Sequence, residues 1–171
     1  RARLEASLLD VLAARAEVEW VEPFRQPELH NNVAVGAALM NVQQVWTNHG
    51  LTGAGQIVAV GDSGLDTGNP DTIHPDFSNR IHAAIGLVSS NDWSDHNGHG
   101  THTSGSVLGS GAAYSNGLFR GAAWEAELVI QAIGATNGGS SVYPPSPLTF
   151  LFEQAYSNDA RIHSDSWGSS V

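Results

Sequence analysis

An uninterrupted apolar run from Ile57 to Val60 constrains the fold of this chain more than any other feature. Side chains alternate between the two faces of a strand, so a run without polar residues predicts a strand buried on both faces, as in parallel sheets. Similar runs and helical patterns alternate along the chain: strands at Ile81 to Val88, Leu128 to Ile133 and Ala160 to Trp167, and helices beginning near His99 and covering Leu148 to Tyr156. This alternation predicts an α/β fold with a parallel sheet.

The first 30 residues form a pattern of their own. Leucines recur at helical spacing up to Leu12, and residues 17–22 alternate like a strand. Pro23 and Pro27 then interrupt the pattern, because proline removes a backbone donor and favours extended geometry in the residue before it. We therefore place a domain boundary near residue 30, with the main domain over 31–171.

A short helix is expected just after this boundary. Val42, Val45 and Trp46 lie on one helical face, Asn41 precedes them as a candidate N-cap, and Gly50 follows as a helix end. This helix would lead into the first buried strand.

Composition excludes several classes of function. The formal net charge is −10, and all seven basic residues are arginines without a cluster that could neutralise nucleic-acid phosphates. The absence of cysteine excludes disulfides and thiolate metal sites. The longest apolar stretch, Val33 to Met40, falls far short of the roughly 20 residues that span a bilayer, so we expect neither nucleic acid nor a membrane as a partner. The chain starts at Arg1 without a signal-peptide pattern, and we expect it to be a processed or trimmed product.

Asp62 follows the first buried run, where the strand is expected to end. In open α/β sheets, function gathers at the carboxyl ends of the strands, because loops there carry polar groups without breaking the core. Taken alone, an aspartate before Ser63 and Gly64 favours a turn cap over a catalytic role.

A histidine between two glycines, His99 in the segment Asn-Gly-His-Gly-Thr-His, changes this balance. The glycines let backbone and substrate approach the imidazole closely at the expected start of a helix. An unperturbed histidine titrates at about pH 6.5 and can act as a general base, and a neighbouring carboxylate fixes its tautomer. We interpret Asp62 and His99 as a catalytic pair in which the carboxylate orients the imidazole.

Four motifs occur in an order and at a spacing that resemble the subtilases, the subtilisin-like serine proteases. They are Val60-Gly61-Asp62-Ser63-Gly64-Leu65-Asp66, His74-Pro75-Asp76-Phe77, Asn97-Gly98-His99-Gly100-Thr101-His102 and Ser166-Trp167-Gly168. Within the family, the chain is most similar to the large alkaline extracellular subtilases. The resemblance implies a three-layer αβα subtilisin-like fold, of which this chain holds the N-terminal part, and a location outside the cell.

The resemblance also implies roles for individual residues in a serine endopeptidase. Asp62 would orient His99, and His99 would take the proton from a serine hydroxyl that attacks a peptide carbonyl. The segment Ser166 to Gly168 would pair with an extended protein or peptide substrate like an added strand. The loop through Gly138 and Gly139 would form the opposite wall of the cleft.

Two further implications concern metal and domain organisation. No cofactor is required; Asp76 matches a position where many subtilases bind a structural Ca²⁺, but the companion loop after the His99 helix differs, so no specific Ca²⁺ site is assigned. Residues 1–30 resemble the C-terminal part of an inhibitory propeptide and its linker. Residues 31–171 would then be the N-terminal part of the catalytic domain.

The chain departs from the family in what it lacks. A subtilase carries its nucleophile in a Gly-Thr-Ser turn and uses an asparagine in the oxyanion hole, both downstream of the segment matching Ser166 to Gly168. No serine in this sequence has that context. Ending after the strand at Ala160 to Trp167 would also leave a long apolar sheet edge open to water. We expect the C-terminal part of the same precursor to supply both groups as a partner, and the chain alone to be inactive.

Two alternatives stay open at this stage. His96, His99 and His102 are spaced three residues apart near two aspartates, which permits a His-rich zinc-binding module, although glycines make a poor helix interior there. The second alternative is an inert pseudoprotease that binds peptides in the same cleft. The sequence that follows this chain in the precursor would separate that reading from an enzyme.

Overall fold

The computed structural model describes residues 5–19, 21, 39–89, 91–114, 117 and 119–168. Within them, four strands form one sheet: β1 Ile57–Asp62, β2 Ile81–Gly86, β3 Glu127–Ala132 and β4 Ile162–Asp165. The α-helices there are α1 Leu9–Ala13, α2 Val42–His49, α3 His99–Leu108 and α4 Thr149–Ser157, with short 3-10 helices at Ala6–Leu8 and Pro75–Phe77. None of the helices in these ranges is long and apolar enough to span a bilayer.

The sheet is parallel, with the strand order β2-β3-β1-β4. The central strand β1 pairs with β3 along its whole length and with β4 from Val58 to Gly61. The apolar runs of β1 and β3 are buried, as expected for strands covered on both faces. The predicted α/β fold with a parallel sheet is confirmed.

Helices cover both faces of the sheet, which makes the architecture a three-layer αβα arrangement. On the α3 face, alternate residues of β1 and β3 join a large apolar core: Val58, Val60, Leu65, Ile73, Phe77, Leu108, Ala126, Leu128 and Ile130. On the α4 face, the intervening residues form a smaller cluster: Ala59, Val129, Ala155 and Ala160. Strand periodicity thus assigns neighbouring residues of β1 to opposite layers.

Two predictions about local structure in the first part of the chain were wrong. Residues 17–19 and 21 are not in a strand; the rest of that predicted strand, and the linker with Pro23 and Pro27, lie outside the described residues. Asn41 precedes α2 but adopts a left-handed conformation, φ 55°, and makes no side-chain cap hydrogen bond. Asparagine tolerates this backbone shape, so it turns the chain into the helix without capping it. Gly50 ends the helix as predicted.

The sheet edge at β4 is shorter and more polar than the sequence predicted. The strand covers four residues, of which Ile162 alone is a large apolar residue, and this side chain is 56% exposed. The strand also carries His163 and Asp165, whose side chains hydrogen-bond to each other. Near β4, four further large apolar side chains on or just before α4 are exposed: Leu148, Phe150, Phe152 and Tyr156.

Candidate active site

Asp62 is the last residue of β1 and is only 1% exposed. Its Oδ1 accepts hydrogen bonds from His99 Nδ1 at 2.8 Å and from the backbone N–H of Ser63 at 2.7 Å. Its Oδ2 accepts a longer bond of 3.2 Å from the Thr103 hydroxyl. Burying a carboxylate costs free energy unless it is hydrogen-bonded, so these donors hold the charge in place and fix its direction.

His99 begins α3, and the glycines beside it let the helix start against β1. Gly98 is the N-cap residue and has a φ of 97°, a conformation that favours glycine. A Cβ on Gly100 would lie 2.3 Å from the carbonyl oxygen of Gly64, so a side chain there would push α3 away. This close approach brings the His99 imidazole to the Asp62 carboxylate.

The contact with Asp62 determines which ring nitrogen of His99 carries the proton in the neutral form. A carboxylate only accepts, so Nδ1 donates and Nε2 keeps its lone pair. Among the described residues Nε2 has no hydrogen-bond partner, and the side chain is 49% exposed. The ring therefore leaves a basic nitrogen available, the state that a general base requires.

A second carboxylate, Asp95, lies beside the pair and was missed by reasoning from the sequence. Its Oδ1 accepts hydrogen bonds from the Ser63 hydroxyl and the Gly98 backbone N–H, both at 2.8 Å. Its Oδ2 accepts from the backbone N–H and the hydroxyl of Thr101 at 2.8 and 2.6 Å. Thr101 lies in the first turn of α3, where unpaired N–H groups favour an anion. Asp95 thus secures the start of the helix that carries His99.

Two opposing influences act on the pKa of Asp95. Burial, the largest single influence, raises it, whereas the hydrogen bonds from Thr101, Gly98 and Ser63 lower it. The hydrogen bonds together prevail, and the pKa of Asp95 lies below its ordinary value. The group is therefore ionised at neutral pH, as a site surrounded by donors requires.

Ser63 connects the two halves of this arrangement. Its hydroxyl donates to Asp95 and accepts from the backbone N–H of Gly100 at 2.8 Å. It thereby links the residue after Asp62 to the residue after His99. The sequence signal that could have found the network is an aspartate shortly before a helix start, a pattern typical of capping.

The predicted substrate-binding residues lie with Asp62 and His99 around one cleft of about 260 Å³. Its lining includes the segment Ser166 to Gly168 and, from the loop after β3, Gly139. Gly138 does not line the cleft among the described residues. The structure therefore brings these segments together, and their contact with a substrate stays a prediction.

Two hydrogen bonds fix the walls of the cleft. Trp167 is half-buried, and its Nε1 donates to the carbonyl oxygen of Gly61 at 2.7 Å, which holds this segment across the end of β1. On the other side, Asn97 Nδ2 donates to the carbonyl oxygen of Gly139 at 3.4 Å. Each wall is thus attached to the chain beside Asp62 or His99.

The zinc-binding alternative finds no support in the geometry. In the part of the chain that the structure describes, no group of three or more His, Cys, Asp or Glu side chains could hold a metal ion. His96 Nε2 lies 3.2 Å from Asp92 Oδ2, and His99 Nδ1 is bonded to Asp62. Two of the three histidines are therefore engaged with separate carboxylates.

Several known proteins are similar to this chain in sequence. The Peptidase S8 description of the subtilase family matches residues 53–171. A thermostable alkaline protease of Halalkalibacterium halodurans is 31% identical over 98% of this chain and 43% of that protein. A serine protease/ABC transporter B family protein of Dictyostelium discoideum is 31% identical over 70% of this chain and 7% of that protein.

Among solved structures, the CspB protease of Clostridium perfringens has a similar fold, with a TM-score of 0.59 at 20% identity. That match covers 75% of this chain and 32% of the other, so it supports the fold alone. The chain spans less than half the length of each of these three proteins. The family match extends over most of the chain and includes Asp62, His99 and the cleft between them, and the chain therefore belongs to the subtilase family.

Proposed function

We propose that this chain is the Asp- and His-bearing part of a serine endopeptidase that hydrolyses peptide bonds in proteins. The observation that carries the proposal is the buried Asp62 carboxylate bonded at 2.8 Å to Nδ1 of His99, with Nε2 unpartnered among the described residues. An orienting carboxylate, a base with a free nitrogen and an adjoining cleft are the parts that nucleophilic catalysis needs. Membership of the subtilase family supports the same reaction class.

In the proposed reaction, a serine hydroxyl attacks the carbonyl carbon of the scissile peptide bond while Nε2 of His99 takes its proton. The imidazolium that forms stays bonded through Nδ1 to Asp62, whose negative charge stabilises it. His99 then gives the proton to the leaving amine as the C–N bond breaks, and an acyl-enzyme is left. Water, deprotonated by His99, hydrolyses that ester and restores the serine.

The serine and an oxyanion-hole asparagine are proposed to come from the C-terminal part of the same precursor. Ser63 is engaged, because its hydroxyl donates to Asp95 and accepts from Gly100. Ser166 lines the cleft but makes no hydrogen bond to His99 within the described residues. These observations support a nucleophile supplied by another segment.

An exposed apolar surface supports the placement of that segment on the α4 face. Phe150 and Phe152 of α4 are 48% and 42% exposed. A groove of about 260 Å³ runs between α4 and β4, with Phe152, Tyr156 and Ile162 in its lining. Contiguous exposed apolar surface is characteristic of interaction sites, and the outer side of β4 offers backbone groups to a further strand.

Two finer proposals rest on the resemblance to extracellular subtilases. Residues 1–30 are proposed to be the end of an inhibitory propeptide, and the lack of any buried residue within 5–19 is consistent with a segment outside the catalytic core. The protein is proposed to act outside the cell.

A fluorophosphonate probe, which attaches covalently to an activated serine, tests the proposal on the complete precursor and on the 171-residue chain. We expect the label on a serine outside residues 1–171, and no label on this chain alone. His99→Ala in the precursor should abolish both labelling and peptide hydrolysis, because no base remains to take the serine proton.

His82→Ala is the matched control, since His82 is bonded to Glu127 at 2.9 Å and lies on β2, away from the pair. It should leave labelling unchanged. A label within residues 1–171 would contradict the placement of the nucleophile. An unlabelled precursor that still binds peptides would replace the enzyme with a pseudoprotease.

A further inference from the structure

A polar cluster lies on the α4 face, directly behind the catalytic pair. Gly61, the residue before Asp62, faces this side, and a Cβ on it would lie 2.9 Å from Asp165 Oδ1 and 3.2 Å from His163 Cε1. Gln131 of β3 faces the same cluster and is completely buried. A second histidine–carboxylate pair, His163 and Asp165, thus lies on the opposite face of β1 from Asp62 and His99.

The side-chain amide of Gln131 can be oriented in one way only. Its Nε2 lies 2.9 Å from the backbone carbonyl oxygen of Leu151 and 2.8 Å from Oε1 of Gln154. A backbone carbonyl only accepts hydrogen bonds, so the NH₂ group must face Leu151. The amide oxygen Oε1 must therefore face His163.

Both ring nitrogens of His163 consequently face acceptors. Nε2 lies 2.8 Å from Gln131 Oε1, and Nδ1 lies 3.1 Å from Asp165 Oδ2. A ring N–H on either nitrogen therefore finds an acceptor oxygen within hydrogen-bond distance. Asp165 is the charged partner; the groups facing the ring from β3 and α4, Gln131 and the Phe152 ring with its centroid 4.9 Å away, are uncharged.

The cluster lies where β4 leads into the predicted substrate-binding segment. Asp165 ends β4 and directly precedes Ser166. Its partner His163 has a side chain that is 13% exposed, and the single contact between the two side chains lies at the exposed edge of the sheet. Two residues further on, Trp167 is bonded to Gly61. The segment Ser166 to Gly168 is therefore held by His163 at its start and by Gly61 in its middle.

We propose that His163, placed between Gln131 and Asp165, is a positioning residue for the predicted substrate-binding segment Ser166 to Gly168. This inference rests on the proposed function. His163 does not act on the reacting atoms; it fixes Asp165 and hence the backbone along which an extended peptide would lie beside His99. Its loss should weaken the binding of extended substrates and leave the chemical step largely intact.

Positioning is measured in the complete precursor after activation, with an extended peptide and with a short ester that does not reach Ser166 to Gly168. His163→Gln should raise KM for the extended peptide about tenfold, keep kcat within about twofold and leave both constants for the ester unchanged. Asp165→Asn should also raise KM for the extended peptide and leave kcat and the ester constants unchanged. This second variant tests the proposal if His163→Gln does not fold. His82→Gln, at an exposed histidine bonded to Glu127, should change nothing.

The two proposals fail in distinguishable ways. Equal losses on the extended peptide and the ester, or an unchanged KM for the peptide, would refute the positioning role of His163 while leaving the enzyme assignment intact. Absence of hydrolysis by the wild-type precursor would refute the enzyme assignment. In that case the dissociation constant of the extended peptide replaces KM, and an unchanged value in His163→Gln would refute the positioning role as well.

Discussion

The two faces of the sheet differ in how completely this chain covers them. On the α3 face, branched side chains of β1 and β3 pack into a core in which Leu108 and Leu128 are fully buried. On the α4 face, three of the four clustered residues are alanines, and aromatic side chains of α4 stay exposed. Because apolar burial is the dominant favourable term in folding, the α3 face carries more of the stability, and the α4 face keeps apolar surface exposed.

The two parts of the proposed chemistry, proton transfer and substrate binding, also lie on different faces of the sheet. Asp62 and His99 lie on the α3 side, supported by Asp95 and a closely packed helix start. The segment Ser166 to Gly168, predicted to bind substrate, follows β4, on the side with the open apolar surface. The geometry of proton transfer is therefore set within this chain, whereas substrate binding is completed on the face that a partner would cover.

The largest expected effect is a loss of activity with little loss of stability, and it comes from a residue on the α3 side. In the activated precursor, His99→Ala should lower kcat/KM by roughly 10⁴-fold or more, the scale of loss when a triad enzyme is deprived of a member. Because its side chain is 49% exposed, the thermal unfolding midpoint should hardly move. Steady-state kinetics and thermal denaturation of one preparation measure both. A large fall in the midpoint would show that His99 supports the fold as well.

A matched pair of truncations compares the two faces directly. Leu128→Ala should lower the free energy of unfolding of this chain by about 2 to 5 kcal/mol, because it leaves a cavity in the α3-face core. Phe152→Ala, which removes a larger side chain that is 42% exposed, should cost less than about 1 kcal/mol. Urea denaturation measures both. Equal costs would mean that the faces do not differ in stability.

The same truncation in the complete precursor sharpens the difference. If a partner segment covers the α4 face, Phe152→Ala should cost clearly more there than in the isolated chain, because the ring is then buried. An unchanged cost would place the partner elsewhere.

Most of the fold could be predicted because its signals are local. The apolar runs that became β1 and β3 indicate strands buried on both faces, and Gly50 indicates a helix end. The bounds of β4 are harder to predict, since it carries the polar residues His163 and Asp165, and the partner of His163 on β3, Gln131, is distant in sequence. Alternation alone predicts a strand over residues 17–19. A strand also needs a neighbouring strand to pair with, and alternation gives no information about a neighbour.

In the candidate site, too, some residues could be predicted from local signals and others depend on contacts between distant parts of the chain. Asp62 and His99 stand in short motifs, so the sequence predicted the pair that the structure brings within hydrogen-bond distance. Asp95 lies outside these motifs; its place before a helix start indicates capping, but its bond to Ser63 depends on the two residues lying close in space. The resemblance predicts a cleft wall from the loop through Gly138 and Gly139, and the cleft lining contains Gly139 without Gly138. Motifs identify residues, whereas side-chain orientation depends on contacts that one sequence does not contain.

A smaller effect, which depends on pH, tests the hydrogen bonds by which Asp95 holds the start of α3 beside Asp62 and His99. Asp95→Asn should lower the free energy of unfolding by about 1 to 3 kcal/mol at neutral pH, because it presents an NH₂ group to backbone and hydroxyl donors. The folded-state pKa of Asp95 is below its ordinary value of about 3.9. Its stabilising contribution is therefore complete above that value and disappears as the pH falls through the folded-state pKa.

Urea denaturation between about pH 2 and pH 7 measures this dependence. The difference between wild type and Asp95→Asn should stay constant down to about pH 5 and shrink below about pH 4. Asp159→Asn is the control, since that side chain is 75% exposed and should show almost no difference. A gap that persists to the acid limit would show that the charge of Asp95 is not the stabilising feature.

The smallest effect concerns one hydrogen bond on the α4 side, and a pair of tryptophans isolates it. Trp167→Phe removes the Nε1 donor to the Gly61 carbonyl oxygen, 2.7 Å away, and should cost about 0.5 to 1.5 kcal/mol beyond the lost ring area. Trp124→Phe loses the same atoms, but Nε1 of Trp124 is buried without a partner among the described residues, so this change removes an unsatisfied donor. Trp167→Phe should therefore be the more destabilising of the two in urea denaturation. Because the bond joins the substrate-binding segment to the residue before Asp62, the reverse order would mean that this segment is not anchored to β1.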